Sequence, residues 1–222
     1  MFELGVLADD LTGGMMVASL LESEGVECPL VTSVDELAQI AESKATAVVV
    51  ARKIRLVDAA LAQEEAVSAV QALQDIGCKR FFYKYCATFD STEKGNIGPI
   101  ADAMLGAVGG RQTIFCPAFP RYTVTLVNGI LYLGKTPLGE SFKRDDPVTP
   151  MTNSNLVEVL QTQSQRQVGL ISREILSQGP DAIERHIQDG DATSFYITDA
   201  ADDEDMARIA DFALDWLSLI HI

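Results

Sequence analysis

The sequence is short of histidine, of positive charge and of long apolar runs, and each shortage removes a class of function. His186 and His221 are the only histidines and lie far apart. A histidine-rich zinc site cannot be built from them, and a Ser-His-Asp triad has only two poor candidates. Seventeen Lys+Arg stand against 32 Asp+Glu, giving a formal net charge of −15 over 222 residues. Such a chain repels phosphate backbones and is not expected to bind nucleic acid. No apolar run approaches the ~20 residues of a membrane span. No basic, then apolar, then small-residue leader opens the chain, so no membrane partner is expected. Cys28, Cys78, Cys86 and Cys116 show no C-x-x-C spacing. Four thiols without an export signal predict a reduced, cytoplasmic protein, with each thiol a small core hydrophobe.

What is present is ordinary globular material. Hydrophobic residues make up 47% and charged residues 22%, too apolar for disorder. The length fits one large domain or a tight pair, burying about 70–75% of the unfolded surface. Strand-like runs occur at Phe2–Ala8, Thr46–Ala51, Arg80–Tyr85, Thr113–Cys116, Val168–Ile171 and Ser194–Ile197. Val48-Val49-Val50 is apolar on consecutive residues, as in a central parallel strand buried on both faces. Helical periodicity separates the runs. Val17, Leu20 and Leu21 lead to a stop at Gly25, and Val67, Val70, Leu73 and Ile76 to one at Gly77. Pro99 opens a third helix, Leu156 and Leu160 face inward in a fourth, and Met206, Ile209, Ala213 and Trp216 line a last one. His186 sits in a helical pattern with Ile183 and Ile187 and is assigned no chemistry. The alternation predicts an α/β fold, doubly wound, with a mostly parallel sheet and helices on both faces. The exception is Pro117 to Pro150, whose five prolines predict a Pro-rich meander insertion. Chemistry in such a fold belongs beyond the carboxyl ends of the strands.

Four polar segments fall at such ends. Ala8-Asp9-Asp10-Leu11-Thr12-Gly13-Gly14 joins the first strand to the first helix. Adjacent carboxylates repel and need a partner: a metal, a lysine or substrate hydroxyls. Thr12, Gly13 and Gly14 would offer N–H groups to an anion. An Asp N-cap before a Gly-rich turn accounts for one aspartate but not both. The loop is neither a P-loop nor G-x-G-x-x-G. Lys84 ends a strand among aromatic residues, and Asp90, Ser91, Thr92 and Asn96 follow it before the third helix. Arg52, Lys53 and Arg55 follow the Val48–Val50 strand and, with Lys84 and Lys94, are the local cations an acid-binding pocket requires in so negative a chain. The fourth segment, Cys116–Pro120 with Glu140–Met151, reads as rigid charged turns that could close a pocket. These groups, Asp10, Lys84 and Asp90 among them, are expected to meet over one groove. A phosphoryl-accepting receiver domain shares the acidic pair and the lysine, but needs an Asp where Ala51-Arg52 stands.

Together the segments resemble the four-carbon acid sugar kinase family. The points of contact are A-D-D-L-T-G at 8–13, K-Y-C-A-T-F-D-S-T-E-K-G-N-I-G-P at 84–99, C-P-A-F-P at 116–120, N-G-x-L-Y-L-G at 128–134 and D-P-V-T-P-M-T-N-S-N-L at 146–156. Residues 84–99 look most like the 3-oxo-tetronate kinase branch. The resemblance implies phosphorylation of the terminal hydroxyl of a small keto sugar acid by ATP with Mg2+. It implies a sugar-acid-binding half, here residues 1–216, and a nucleotide-binding half that this chain lacks. It places catalytic roles on Asp9 and Asp10, and substrate-binding roles on Thr12, Gly13, Lys53, Arg55, Lys84, Asp90, Ser91, Thr92, Gly95 and Asn96. No metal ligand is assigned, and the expected partners are a small-molecule sugar acid and a second copy in a homodimer.

The chain departs from the family pattern at Gly14-Met15-Met16, at Tyr122–Thr125, and at Glu140–Pro147, where the branch carries E-S-G-M-R-N-H-P. A sister substrate (3-oxo-isoapionate, threonate or another tetronate) or a non-catalytic sugar-acid-binding module is therefore the alternative. The final Leu217–Ile222 resembles a translated sequencing adapter. On that expectation His221 is not a biological residue and the natural frame is interrupted near Trp216.

Overall fold

Strand–helix alternation is realised twice along the chain. The structure, a computed structural model, describes residues 2–190 and 192–216; the adapter-like tail at 217–222 lies outside them. Residues 2–85 with 99–111 form one compact unit, and 86–98 with 112–216 form another.

The first unit opens with β1 (Leu4–Ala8) and α1 (Leu11–Ser23), followed by β2 (Leu30–Val31) and α2 (Leu37–Ile40). Next come β3 (Ala47–Ala51), α3 (Ala59–Asp75), β4 (Arg80–Lys84) and most of α4 (Ile97–Ala107). The sheet order is β2-β3-β1-β4, all parallel. All five β3 residues are buried, as the valine run predicts. The chain leaves β1 toward the β2 edge and leaves β3 toward β4. Right-handed crossovers then put α1 and α3 on opposite faces and open a crevice between the carboxyl ends of β1 and β3. The register pairs Ala8 with both Ala51 and Lys84, so the three strands end level. Asp9 and Arg52 therefore emerge side by side. The ladder continues past the strand ends, with Arg52 N–H donating to the Ala8 carbonyl at 2.8 Å and Ile54 N–H to the Asp9 carbonyl at 3.1 Å.

The second unit holds β5 (Thr113–Phe115), the antiparallel β6 (Val124–Val127), β7 (Ile130–Leu133) and β8 (Thr136–Pro137), and α5 (Leu156–Gln163). It continues through β9 (Gln167–Ile171), α6 (Arg173–Ser177), α7 (Pro180–Asp189), β10 (Thr193–Thr198) and α8 (Asp203–Trp216). β5, β10 and β9 make a parallel sheet in that order. The Pro-rich stretch is the expected meander, with short 3-10 turns at Pro120–Tyr122, Leu138–Glu140 and Phe142–Asp145. Asn128 (φ 52°) and Gly129 (φ 75°) form its two-residue hairpin turn, the conformation an Asn-Gly pair adopts most readily.

The doubly wound α/β architecture holds, carried by two parallel sheets flanked by helices. All six strand-like runs are strands. α4 begins at Ile97 rather than Pro99; proline is tolerated in the first turn, where N–H groups have no intrahelical acceptor. β2, α2 and α6 are too short for periodicity to reveal. Cys28 and Cys78 are buried core residues, whereas Cys86 and Cys116 are half-buried. His186 sits at the core boundary, its Nε2 2.9 Å from the Leu170 carbonyl.

Candidate functional site

In the first unit the paired carboxylates find their counter-charge in Arg55. Its Nη2 lies 2.6 Å from Asp9 Oδ1 and 2.8 Å from Asp10 Oδ2, and its Nε 3.1 Å from Asp9 Oδ2. Level strand ends explain the meeting. Asp9 follows β1 directly, and the Ile54–Asp9 backbone bond brings the segment after β3 across it. Asp9 is 1% exposed and Asp10 about one-third exposed. Burial raises the Asp9 carboxyl above its ordinary range, a rise that Arg55 opposes without cancelling. The Tyr83 hydroxyl, fully buried near Asp9, is pushed well above its usual range by burial first and by the Asp9 charge second.

Asp10 is also the N-cap of α1, its Oδ1 accepting the Gly13 N–H at 2.5 Å. The Gly14 N–H donates to the Asp10 carbonyl at 3.1 Å. The expected anion site on the Gly13 and Gly14 amides is thus corrected: the chain itself uses both. Close approach explains the glycines. A Cβ on Gly13 would stand 2.7 Å from Asp10 Oδ1 and 3.4 Å from Lys84 Cγ, and one on Gly14 2.8 Å from Ala51 Cβ. Lys84 lies over Gly13, and its ammonium donates to the Tyr85 carbonyl. Thr12 is exposed in the first turn of α1. Beside this cluster, a cleft of about 320 Å3 is lined by Leu11, Thr32, Arg52, Lys53, Val57 and Leu61, with others. Arg52 is tied to Glu65 and to the Thr32 carbonyl, while Lys53 is exposed on the rim.

The second unit holds the remaining expected residues. Asp90 accepts the Thr88 hydroxyl at 2.6 Å, the Cys86 thiol at 3.3 Å and the Lys143 ammonium at 2.9 Å. Phe89, fully buried, takes φ 50°, a strained conformation for a bulky residue that marks a constrained loop. Ser91 is buried; its hydroxyl accepts from Gln163 Nε2 at 2.8 Å, and the same amide reaches the Thr92 carbonyl at 2.7 Å. A Cβ on Gly95 would fall 1.8 Å from Ser91 Oγ, so the turn requires glycine there. Asn96 is buried. Ser91, Thr92 and exposed Lys94 line a second cleft of about 510 Å3.

Asp9, Asp10, Thr12, Gly13, Lys53, Arg55 and Lys84 therefore belong to the first unit, and Asp90, Ser91, Thr92, Gly95 and Asn96 to the second. Sequence reasoning did not single out Tyr83, Gln163 or Lys143 as site residues. Only Lys143 carried a signal, as a cation in the charged 140–151 turns. It also missed Asp199, buried at the end of β10, which accepts the N–H groups of Asn128, Gly129 and Arg173 at 2.7, 2.9 and 3.3 Å. That carboxylate holds the Asn-Gly hairpin turn, and burial raises its pKa. On the first strand–helix turn the Gly13 and Gly14 amides are already engaged by Asp10. Among the described residues no group of three or more His, Cys, Asp or Glu side chains is arranged to hold a metal ion. No helix among the described residues is long and apolar enough to cross a membrane.

Comparison with known proteins agrees with this architecture. Residues 4–218 match the family model of the sugar-binding N-terminal domain. A 3-oxo-tetronate kinase of Burkholderia multivorans is 42% identical over 205 residues, covering 91% of this chain and 47% of that protein. The chain spans about half the length of the curated relatives it matches. The crystal structure of a Haemophilus influenzae protein of the DUF1537 family superposes with TM-score 0.90 at 32% identity, over 97% of this chain and 52% of that one. A Bordetella bronchiseptica DUF1537 structure, described as a domain-swapped dimer with bound citrate, gives TM-score 0.81 at 28% identity, over 98% and 52%. The chain belongs to the four-carbon acid sugar kinase family, as its sugar-binding N-terminal domain, and is similar to 3-oxo-tetronate kinases.

Proposed function

We propose that this chain is the sugar-acid-binding part of an ATP-dependent kinase that phosphorylates the terminal hydroxyl of a 3-oxo-tetronate-like acid. The observation that carries the reading is the Asp9–Arg55–Asp10 cluster at the carboxyl end of β1, beside a crevice of a size for a four-carbon acid. Asp9 is enclosed and anchors Arg55. Asp10, held by Arg55 and the Gly13 amide, is the more exposed carboxylate and takes the role of orienting or deprotonating the attacking hydroxyl. Proton loss comes late in a loose phosphoryl-transfer transition state, so placement outweighs basicity. Lys53, Lys84 and Arg55 are the proposed contacts for the acid's carboxylate, Lys53 being the exposed one on the cleft rim. Thr12 in the first unit and, separately, Asp90, Ser91, Thr92, Gly95 and Asn96 in the second are the other proposed substrate-side residues, while Gly13 holds Asp10. ATP and Mg2+ are proposed to bind through the part of the kinase outside this domain.

The citrate in the Bordetella relative supports a small carboxylated ligand. Lys143 and Asp146, at departures from the branch pattern, favour a sister acid such as 3-oxo-isoapionate, threonate or another tetronate as the second reading. A cytoplasmic location and a homodimer complete the proposal. The test is a thermal-shift panel of four- and five-carbon sugar acids on this chain, with Asp10→Ala in the complete kinase. Saturable stabilisation by a sugar acid and a kcat loss of at least 100-fold are expected; a loss under about threefold, ~0.7 kcal/mol in barrier, removes Asp10 from the mechanism.

A further inference from the structure

Two charged segments far apart in sequence meet in the second unit. Lys143 Nζ lies 2.9 Å from Asp90 Oδ2 and 3.4 Å from Asp146 Oδ2, and all three side chains are less than a quarter exposed. Each acid is anchored within its own segment. Asp90 accepts from Thr88 and Cys86, and Asp146 Oδ1 accepts the amides of Val148 at 3.0 Å and Thr149 at 2.9 Å. Lys143 is therefore the cross-link between them. A second tie reinforces it: Met151 N–H donates to the Lys143 carbonyl at 2.9 Å, and Ser91 N–H approaches Met151 Sδ at 3.4 Å. Both tied segments line the 510 Å3 cleft, the first through Ser91–Lys94 and the second through Pro150–Asn153. Their charge matters to what the cleft admits. Glu93 and Glu158 line it, and without the ammonium the Asp90–Asp146 pair, carried by the segments that supply the lining, would add a further uncompensated negative charge. An anion approaching a chain of net charge −15 meets that repulsion at close range.

We infer that Lys143 is the positioning and specificity-determining residue of this cleft, holding the Asp90–Ser91–Thr92 wall in place and offsetting its charge so that a carboxylate-bearing polyol is accepted. The ligand half rests on the sugar-acid reading above; the wall-holding half does not. The test compares Lys143→Met and Lys143→Arg with the parent chain by amide hydrogen exchange and by NMR titration with L-threonate and with L-threitol, its uncharged counterpart. Lys143→Met is expected to speed exchange across residues 91–96 at least tenfold while β9 and β10 are unchanged, and Lys143→Arg to stay within threefold of the parent. Lys143→Met is expected to weaken L-threonate at least tenfold and L-threitol less than twofold. Unchanged exchange at 91–96 overturns the wall-holding role. Equal loss for both ligands, or none, overturns the charge role. If the parent chain binds neither L-threonate nor other sugar acids, the sugar-acid reading fails and the charge role with it, while exchange still decides the first half. Should Lys143→Met not fold, Asp90→Asn removes the same ion pair and its exchange pattern is read in the same way.

Discussion

Arg55 between Asp9 and Asp10, and Lys143 between Asp90 and Asp146, are one charge arrangement made in two ways. The first is built from the ends of two neighbouring parallel strands. Its guanidinium grips Asp9 through two nitrogens, a planar match that an ammonium cannot make. The second is built from irregular segments, and its ammonium is a point charge shared by two acids that keep other donors. Geometry at the first cluster is therefore imposed by the sheet. At the second it depends on the cluster's own bonds. Loss of the cation should damage stability at the first and loop order at the second.

The largest effect separates them most sharply. Arg55→Ala leaves the enclosed Asp9 without its cation, and denaturant unfolding should show a loss of about 3–5 kcal/mol. Arg55→Lys should recover only part of it. Gly14→Ala tests how rigid the frame behind the first cluster is. Its new Cβ would lie 2.8 Å from that of Ala51 in the sheet, and the overpacking should cost about 1–3 kcal/mol in the same assay. Lys143→Met should cost less, about 1–2 kcal/mol, because both acids retain hydrogen bonds. A loss as large as that of Arg55→Ala would erase the distinction between the clusters. The smallest effect is a pH signature. The Thr149 and Val148 amides, with Lys143, lower Asp146 to about 2 from an ordinary 3.8. A carboxyl depressed in the folded state stabilises above its unfolded pKa, and that contribution fades as pH falls through the folded one. The Tm advantage of the parent over Asp146→Asn should be complete above pH ~4 and shrink steadily toward pH ~2; an advantage constant across that window would discount the carboxylate's charge.

Legibility in the sequence follows the same division. Six strands and the helices with several apolar turns were readable because burial imposes a period on them; the valine run of β3 needed nothing else. Asp9 and Asp10 stood out because two adjacent acids at a strand end require a partner. That Arg55 reaches both aspartates depends on the direction in which the chain leaves β3, which composition does not encode. The Gly13 and Gly14 amides looked available for an anion, yet the side chain and carbonyl of Asp10 both turn back onto them. Lys143, Gln163 and Asp199 lie 53, 72 and 71 residues from Asp90, Ser91 and Asn128, the groups they hold. No local pattern announces such pairings, since each residue in its own segment is only a polar group in a turn or at an element's end.

Amide NMR of this chain titrated with L-threonate and D-erythronate addresses the sugar-acid assignment most directly. Saturable shifts centred on Asp9–Gly14, Lys53–Arg55 and Lys84–Asn96 are the result the assignment predicts. Saturation with shifts confined to other parts of the chain, or no saturable shift with any four-carbon acid, would contradict it.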